Sequence, residues 1–186
     1  MFFIEVSLLT GIVMGGGAGV SLHGKFRVAT NNTVFAMPET SLGLFPDVGA
    51  SYFLARLPGF YGEYVALVGA RLDGAEMLAC GLATHFVPSN RMLLLEESLK
   101  KVDTSNSFVV CSTIDQFCQQ PSLKQKSSLN RLEIINKCFS KRTVEEIISS
   151  LGCRAILVDK DKNPKVHILP YLAPLHQNSL HRTYFI

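Results

Sequence analysis

Two carboxylates, Glu39 and Asp47, are the first residues whose type and setting suggest chemistry. They lie eight residues apart in the stretch Met37–Gly49, which is otherwise apolar or shaped by glycine and proline. Apolar surroundings penalise the charged form of a carboxylate and can therefore prepare it for general acid–base catalysis. The alternative is that Glu39 is a solvated strand end and Asp47 is only the N-cap of a following helix. Residue type alone leaves both interpretations open.

A glycine-rich stretch at residues 14–19, Met-Gly-Gly-Gly-Ala-Gly, is the second candidate. It lies between an apolar run and a group of small residues that can form a helix. Glycines allow a ligand to approach the backbone, and N–H groups at the start of a helix can donate to an oxyanion that develops on a carbonyl. The stretch is neither a dinucleotide fingerprint nor a Walker loop. A tight turn required only by packing is the alternative.

The elements that would position these residues are predicted to be strand–helix units. Val6–Met14 is apolar and predicts one buried strand that ends at the glycine turn, and Thr33–Met37 predicts a second. Helices are predicted after each strand, at Ala18–Phe26 and at Gly49–Leu57, with Asp47 as the N-cap of the second. Two such units in succession indicate an α/β fold.

The rest of the chain has mainly helical periodicity. Helices are predicted at Tyr61–Val68, Gly74–Cys80, Arg91–Val102, Leu132–Phe139 and Thr143–Leu151, with strand character at Gly81–Val87 and short helices and loops at Asp103–Leu129. We therefore divide the chain into a core at 1–102 that carries the candidate site, a helical segment at 103–151 and a C-terminal segment at 152–186.

Composition excludes several classes of protein. The 186 residues are 47% hydrophobic and 18% charged, as in a globular protein, and the net charge of +3 is mild. Basic residues are scattered, which argues against a nucleic-acid partner. Val6–Gly24 has no formal charge but is too rich in glycine for a membrane span. Five cysteines without a CxxC pair indicate reduced thiols in an intracellular compartment, and no metal site can be assembled from their spacing.

Several strings together resemble a known family. They are Gly11–Gly17, His23–Thr30, Phe35–Thr40, Gly43–Gly49, Gly81–Val87 and Thr143–Ile148. A strand that leads into a Gly-Gly-Gly turn, with Pro-Glu about twenty residues later, is similar to the crotonase superfamily. Within it, the strings look most like the plant branch of the 3-hydroxyisobutyryl-CoA hydrolases. The resemblance runs from Gly11 to about Leu151 and resumes at Arg154–Asp161.

The resemblance implies a crotonase-like ββα spiral core followed by helices. It also implies hydrolysis of 3-hydroxyisobutyryl-CoA to the free acid and CoA, a step of valine breakdown. In this family Glu39 would act on the acyl carbon or its attacking water, Asp47 would lie near the substrate hydroxyl, and the Gly16 amide would donate to the thioester carbonyl. Enoyl-CoA hydratases carry a glutamate at the position of Gly19, so hydration or isomerisation is the weaker alternative.

The resemblance further implies that no metal or redox cofactor takes part and that CoA belongs to the substrate. A mitochondrial or peroxisomal location and a homo-oligomer are also expected from the family. Members of the family have a region before Gly11, with a second oxyanion donor and the loop that holds the adenine of CoA, and a helical stretch between the positions of Leu151 and Gly152. We therefore expect an incomplete fold with an exposed apolar edge at Val6–Met14. The remaining alternative is a catalytically inactive chain that only associates with homologues.

Overall fold

The structure is a computed structural model that describes residues 4–102 and 106–157, and the side chains as far as Leu151. The strands are β1 (Val6–Leu9), β2 (Ile12–Met14), β3 (Phe26–Ala29), β4 (Val34–Ala36), β5 (Leu72–Asp73) and β6 (His85–Phe86). The helices are α1 (Gly16–Ser21), α2 (Ala50–Leu54), α3 (Tyr61–Val68), α4 (Gly74–Cys80), α5 (Met92–Lys100), α6 (Ser107–Asp115), α7 (Leu132–Phe139) and α8 (Val144–Leu157). Short 3-10 helices lie at Glu39–Leu42, Ser89–Arg91 and Ser128–Arg131.

The described strands divide between two three-stranded sheets. One has the order β1-β3-β6 with parallel pairing throughout, and the other has the order β2-β4-β5 with β2 and β4 parallel and β5 antiparallel. In the pairs β1–β2 and β3–β4 the first strand joins one sheet and the second joins the other, and α1 follows the first pair. In the pair β5–β6 this order is reversed. This arrangement confirms the predicted α/β fold with a ββα spiral.

The single strand predicted at Val6–Met14 is wrong, because the run forms β1 and β2 in different sheets. The change of sheet occurs at Thr10 and Gly11, between β1 and β2, where the chain contacts the turn before β4. There the Thr33 hydroxyl donates to the Leu9 carbonyl, and the Val34 N–H donates to the Gly11 carbonyl over 3.0 Å. The two bonds hold the chain at the point where it crosses between sheets. Hydropathy is continuous across this point, so the sequence pattern could not reveal it.

The helix predicted at Ala18–Phe26 ends early, at Ser21, and Phe26 begins β3 instead. β3 is the central strand of its sheet, between β1 and β6, and its residues are mostly buried. The sheet therefore needs this segment as its middle strand, and the need for tertiary pairing overrides the helical spacing of the small residues. The predicted helices at α3, α4 and α7 have the observed bounds.

Two groups of buried side chains form the interior of the described residues. One surrounds β2 and β4 and includes residues of α2, α3, α4, α7 and α8. The other lies between β3, α5 and α6. Helices of the segment 103–151 thus pack on the residues of 1–102 on both sides. No described helix is both long and apolar enough to cross a membrane.

The expected apolar edge is present in the described sheets. β1 and β2 each pair on one side only, because each is an outer strand of its sheet. Ile12 at the start of β2 is 79% exposed, and Val20 on the adjacent α1 is 77% exposed. An unpaired strand edge with apolar side chains favours association with another chain.

Candidate active site

Gly16 and Glu39 are brought to the same edge of one sheet. β2 and β4 are parallel neighbours in which Met14 lies opposite Ala36. Gly16 follows the end of β2 and Glu39 follows the end of β4. Neighbouring parallel strands end at the same edge of a sheet, which is where α/β folds commonly hold their ligands. The pairing therefore places the start of α1 beside the turn that carries Glu39.

The backbone fixes the turn that carries Glu39. This residue begins the 3-10 helix that follows Pro38, and both the N–H and the hydroxyl of Ser41 donate to the Pro38 carbonyl, at 3.0 and 2.6 Å. Gly43 ends the turn in the left-handed conformation with φ of 76°, which favours glycine. The Thr40 hydroxyl donates to the Leu67 carbonyl of α3 over 3.4 Å. The turn is thus held by local bonds and by a neighbouring helix.

One oxygen of the Glu39 carboxylate is buried without a partner among the described residues. The residue is 7% exposed, and its Oε2 atom is buried without a hydrogen bond to any described group. Burying a charged oxygen without a partner is costly, and most native proteins avoid it. The interpretation of Glu39 as a solvated strand end is therefore wrong. A side chain held in this unfavourable setting is a candidate for chemistry.

The glycine turn has one position that requires glycine for conformation and two that do not. Gly15 has φ of 51° and so favours glycine. At Gly16 and Gly17 a side chain would find open space, because a Cβ atom there would meet nothing within 4 Å among the described residues. Backbone conformation therefore accounts for Gly15, and neither conformation nor packing among the described residues requires glycine at Gly16 and Gly17. The open space beside Gly16 leaves room for a ligand at the N-terminus of α1.

Asp47 is exposed and does not cap α2. The N-cap of α2 is Gly49, which has φ of 78°, and no described side chain caps the free N–H groups of that helix. The turn is closed by the backbone, where the Ala50 N–H donates to the Asp47 carbonyl over 2.8 Å. The prediction of Asp47 as the N-cap is therefore wrong. Its carboxylate makes no hydrogen bond or ion pair with the part of the chain that the structure describes.

Val48 holds the Asp47 loop against α1. It has φ of 48° and is the one described residue other than glycine with positive φ, a strained conformation for a β-branched side chain. A Cβ atom at Gly19 would lie 2.5 Å from the Val48 Cβ, so only glycine fits there. His23 Nε2 lies 3.4 Å from the Val48 carbonyl oxygen. The helix that begins at Gly16 is thus also the surface on which the Asp47 loop rests.

The fold therefore brings the three predicted residues into one region by two routes. Glu39 joins Gly16 through the β2–β4 pairing, and Asp47 joins them through the contact between Val48 and α1. Sequence reasoning missed Val48 as a structural support for this region. Positive φ at a valine has no signal in sequence, because the residue type disfavours it.

The chain is similar to known proteins in sequence and in fold. The family model for enoyl-CoA hydratase/isomerase matches residues 4–152. A protein of Arabidopsis thaliana named "Probable 3-hydroxyisobutyryl-CoA hydrolase 3" is 70% identical over 147 residues, which cover 79% of this chain and 39% of that protein. The human protein named "3-hydroxyisobutyryl-CoA hydrolase, mitochondrial" is 46% identical over 149 residues, or 78% of this chain and 39% of its own length.

A solved structure gives the same fold. The crystal structure of a carnitinyl-CoA dehydratase from Mycobacterium thermoresistibile superimposes with a TM-score of 0.70 at 33% identity, and the match covers 87% of this chain and 44% of that one. The chain spans about two fifths of the length of the curated relatives that it matches. The predicted crotonase-like fold and the resemblance to plant 3-hydroxyisobutyryl-CoA hydrolases are confirmed. With four fifths of its residues covered by one family model, the chain belongs to the enoyl-CoA hydratase/isomerase family.

Proposed function

We propose that this chain carries the catalytic carboxylates of an acyl-CoA thioester hydrolase that converts 3-hydroxyisobutyryl-CoA to 3-hydroxyisobutyrate and CoA, a step of valine breakdown. The observation that carries the proposal is the buried Glu39 carboxylate, whose Oε2 has no partner among the described residues. It lies at the sheet edge beside the glycine turn, in a chain that is 70% identical to a protein named as such a hydrolase.

Each of the three residues has a role that suits its setting. Glu39 takes a proton from the water that attacks the thioester carbon, or attacks that carbon itself, because no described donor competes for its Oε2. The Gly16 amide donates to the carbonyl oxygen as negative charge develops on it. Asp47 is exposed and free to accept a hydrogen bond from the substrate hydroxyl. The C–S bond then breaks, and CoA leaves as a thiolate that is protonated by solvent. When water attacks, Glu39 afterwards returns its proton to solvent, and when Glu39 attacks, water hydrolyses the resulting acyl–Glu39 anhydride to the free acid.

The contact at Gly19 favours hydrolysis over hydration. A hydratase of this superfamily would need a glutamate at that position, and a side chain there would collide with Val48. Without a second glutamate, the two-carboxylate arrangement that adds water to a double bond cannot form. Hydration or isomerisation is therefore the weaker proposal.

The remaining features of the proposed function follow from the relatives. The acyl-CoA thioester is the only partner that the chemistry requires, and neither a metal nor a redox cofactor is needed for this hydrolysis. Relatives that carry "mitochondrial" in their names support a mitochondrial location, with a peroxisomal one as the alternative. The apolar outer strands β1 and β2 support association of the chain with itself or with homologues.

The proposal is tested by grafting residues 4–152 into the A. thaliana relative in place of its matching segment. Release of thiol from 3-hydroxyisobutyryl-CoA and hydration of crotonyl-CoA are then measured side by side. We expect steady thiol release, with hydration at the level of the enzyme-free control. A graft that melts like its parent protein and still releases no thiol would support the inactive chain, and rapid hydration would support the hydratase.

A further inference from the structure

A second group of reactive side chains lies away from the proposed site, where α6 packs beside β6. His85 comes from β6, and Cys111 and Asp115 lie one turn apart on α6. His85 Nε2 lies 3.4 Å from an Asp115 carboxylate oxygen and 3.8 Å from Cys111 Sγ. Cys111 Sγ lies 3.7 Å from the other Asp115 oxygen. Three chemically different ligand types thus converge on one point.

The spacing of these atoms fits one tetrahedral metal ion. Bonds of about 2.0–2.2 Å to nitrogen and oxygen and about 2.3 Å to sulfur put ligand atoms of tetrahedral zinc about 3.4–3.6 Å apart. The separations of His85 Nε2 from Asp115 Oδ1, 3.4 Å, and from Cys111 Sγ, 3.8 Å, are close to those edges. Cys111 Sγ lies 3.7 Å from the second carboxylate oxygen, and one ligand atom from each residue lies within 4.8 Å of the other two. Small side-chain rotations would therefore complete three coordination bonds.

Hydrogen bonding orients the imidazole of His85 toward this point. Its Nδ1 lies 2.8 Å from the Thr84 hydroxyl. That hydroxyl also accepts from the Arg27 N–H over 2.9 Å and donates to the Arg27 carbonyl over 3.1 Å. All these bonds are satisfied together if Nδ1 carries the proton, which leaves the lone pair of Nε2 facing Cys111 and Asp115. A fixed ring with its second nitrogen bonded to a support is typical of metal-ligating histidines.

The same geometry does not fit a nucleophilic triad. In a Cys-His-Asp triad the cysteine and the carboxylate contact opposite nitrogens of the imidazole. Here both Cys111 and Asp115 face Nε2, and Nδ1 is committed to Thr84. A lone pair and a carboxylate that face each other at 3.4 Å need a cation or a proton between them.

The ligands sit on elements that are already held together. Val110 and Ile114 of α6 are buried against the sheet, and the Gln119 N–H donates to the Phe86 carbonyl over 3.0 Å. The Asp115 side chain is 60% exposed while that of His85 is 12% exposed. The site therefore has a buried side that fixes it and an open side through which an ion and a water ligand can enter.

We propose that His85, Cys111 and Asp115 bind a zinc ion, with water as the fourth ligand. Nitrogen, sulfur and oxygen ligands in a tetrahedral arrangement are the set that zinc prefers. Cys111 gives up its thiol proton to solvent when the ion binds, and no oxidation is involved. The ion ties α6 to the outer strand β6 and takes no part in thioester hydrolysis.

The test is a titration of the chelator-treated 186-residue chain with Co²⁺ and Zn²⁺, after circular dichroism has established that the chain is folded. Bound Co²⁺ should give tetrahedral visible bands and a thiolate charge-transfer band at one equivalent. Cys111→Ser should abolish the charge-transfer band, and Asp115→Asn should weaken Zn²⁺ binding at least ~10-fold, the scale expected when a metal site loses part of its support. Cys118→Ser, seven residues after Cys111 and outside the cluster, is the matched control and should behave as the parent chain.

Two results would overturn the proposal. One is a folded chain that binds neither ion at one equivalent, which would mean that only a proton lies between His85 and Asp115. The other is a charge-transfer band that survives Cys111→Ser or disappears in Cys118→Ser. Failure here would leave the hydrolase proposal untouched, because the thiol-release assay does not depend on this cluster.

Discussion

The described residues include two buried glutamates with nearly the same exposure and opposite surroundings. Glu39 is 7% exposed and Glu76 is 8% exposed. Glu76 Oε2 accepts from the Asp73 N–H over 3.0 Å, and its Oε1 accepts from the Ser127 hydroxyl over 2.6 Å. The Oε2 of Glu39 has no partner among the described residues. Burial therefore does not separate the structural carboxylate from the candidate catalyst, whereas hydrogen-bond satisfaction does.

Asp73 and Asp47 show the same difference between a carboxylate with partners and one without described partners. Asp73 is a true N-cap, because its carboxylate accepts from the Glu76 N–H over 2.9 Å and so completes a capping box at the start of α4. Lys124 adds an ion pair of 2.8 Å to the same carboxylate. Asp47 lies before a helix as well, yet its carboxylate caps nothing in the described part of the chain. The molecule thus offers an internal control for each acidic residue of the proposed site.

The largest expected effect is that of Glu39→Gln compared with Glu76→Gln. In the grafted hydrolase, Glu39→Gln should lower turnover by roughly 10² or more, the scale of general acid–base catalysis. Its melting temperature should stay the same or rise, because a neutral amide is cheaper to bury than an unpaired carboxylate. Glu76→Gln should leave turnover nearly unchanged and cost about 1–3 kcal/mol of stability. The new amide N–H₂ would face either the Asp73 N–H or the Ser127 hydroxyl, both of which are donors. Thiol release and thermal melting measure both effects.

The contrast between the two glutamates would fail if Glu39→Gln and Glu76→Gln both lowered turnover or both lowered stability. Turnover within a few-fold of the parent in Glu39→Gln would remove this residue from the chemistry. A marked loss of stability in that variant would mean that Glu39 has a structural partner after all.

The second expected effect compares Asp47→Ala with Asp73→Ala. Asp47→Ala should lower turnover by about 10²-fold, at the lower end of acid–base effects, and should change the free energy of unfolding by less than ~0.5 kcal/mol, as at other exposed positions. Asp73→Ala removes an N-cap and should cost about 0.5–2 kcal/mol. Denaturant unfolding and thiol release separate the two. Equal stability losses would restore a capping role for Asp47.

The stability that the Asp73 cap contributes also depends on pH. Burial raises the pKa of this carboxyl, but the bond from Lys124 and those from the backbone N–H groups outweigh it, so that the pKa lies below its usual value of 3.8. A depressed pKa in the folded state gives a stability contribution that is present above about pH 4 and lost as pH falls through the folded pKa. Asp73→Ala should therefore cost less stability as the pH is lowered into this range, which denaturant unfolding at a series of pH values measures.

Much of the site could be predicted from sequence because its parts are local. The glycine turn after an apolar strand and the acid after Pro38 are readable in residue order, as are the helices with regular spacing. The split of Val6–Met14 into two sheets was not readable, since it depends on bonds from Thr33 and Val34. The capping box at Asp73 has the usual residue types three apart, and its signal was present but missed. The cluster of His85 with Cys111 spans 26 residues, and only folding brings it together.

A third effect compares two glycines of the same short helix. Gly19→Ala places a Cβ atom 2.5 Å from the Val48 Cβ, which is next to the backbone and cannot rotate away. Such overpacking typically costs about 1–3 kcal/mol. Gly17→Ala meets nothing within 4 Å and should be neutral or stabilise the helix by up to about 1 kcal/mol. An unfolding midpoint that falls in Gly19→Ala and does not fall in Gly17→Ala would support the contact. Equal midpoints would show that the Asp47 loop does not rest on α1.

The smallest effect on stability is expected at Val48, where two contributions oppose each other. A left-handed conformation costs a residue other than glycine about 1–2 kcal/mol, which Val48→Gly would recover. Against this, glycine has more freedom in the unfolded chain, which lowers the stability of the folded state by about 0.5–1 kcal/mol. The substitution also removes the packing against Gly19, which lowers stability further. The net change in unfolding free energy should therefore stay within about 1 kcal/mol.

Turnover of the Val48→Gly graft should nevertheless fall several-fold, because the loop that carries Asp47 is no longer fixed. Val48→Ala keeps the strained φ and removes only the methyl groups, so it should lose stability and retain more activity than Val48→Gly. The reverse order of activity would mean that packing by the valine methyls, rather than the fixed backbone, positions Asp47.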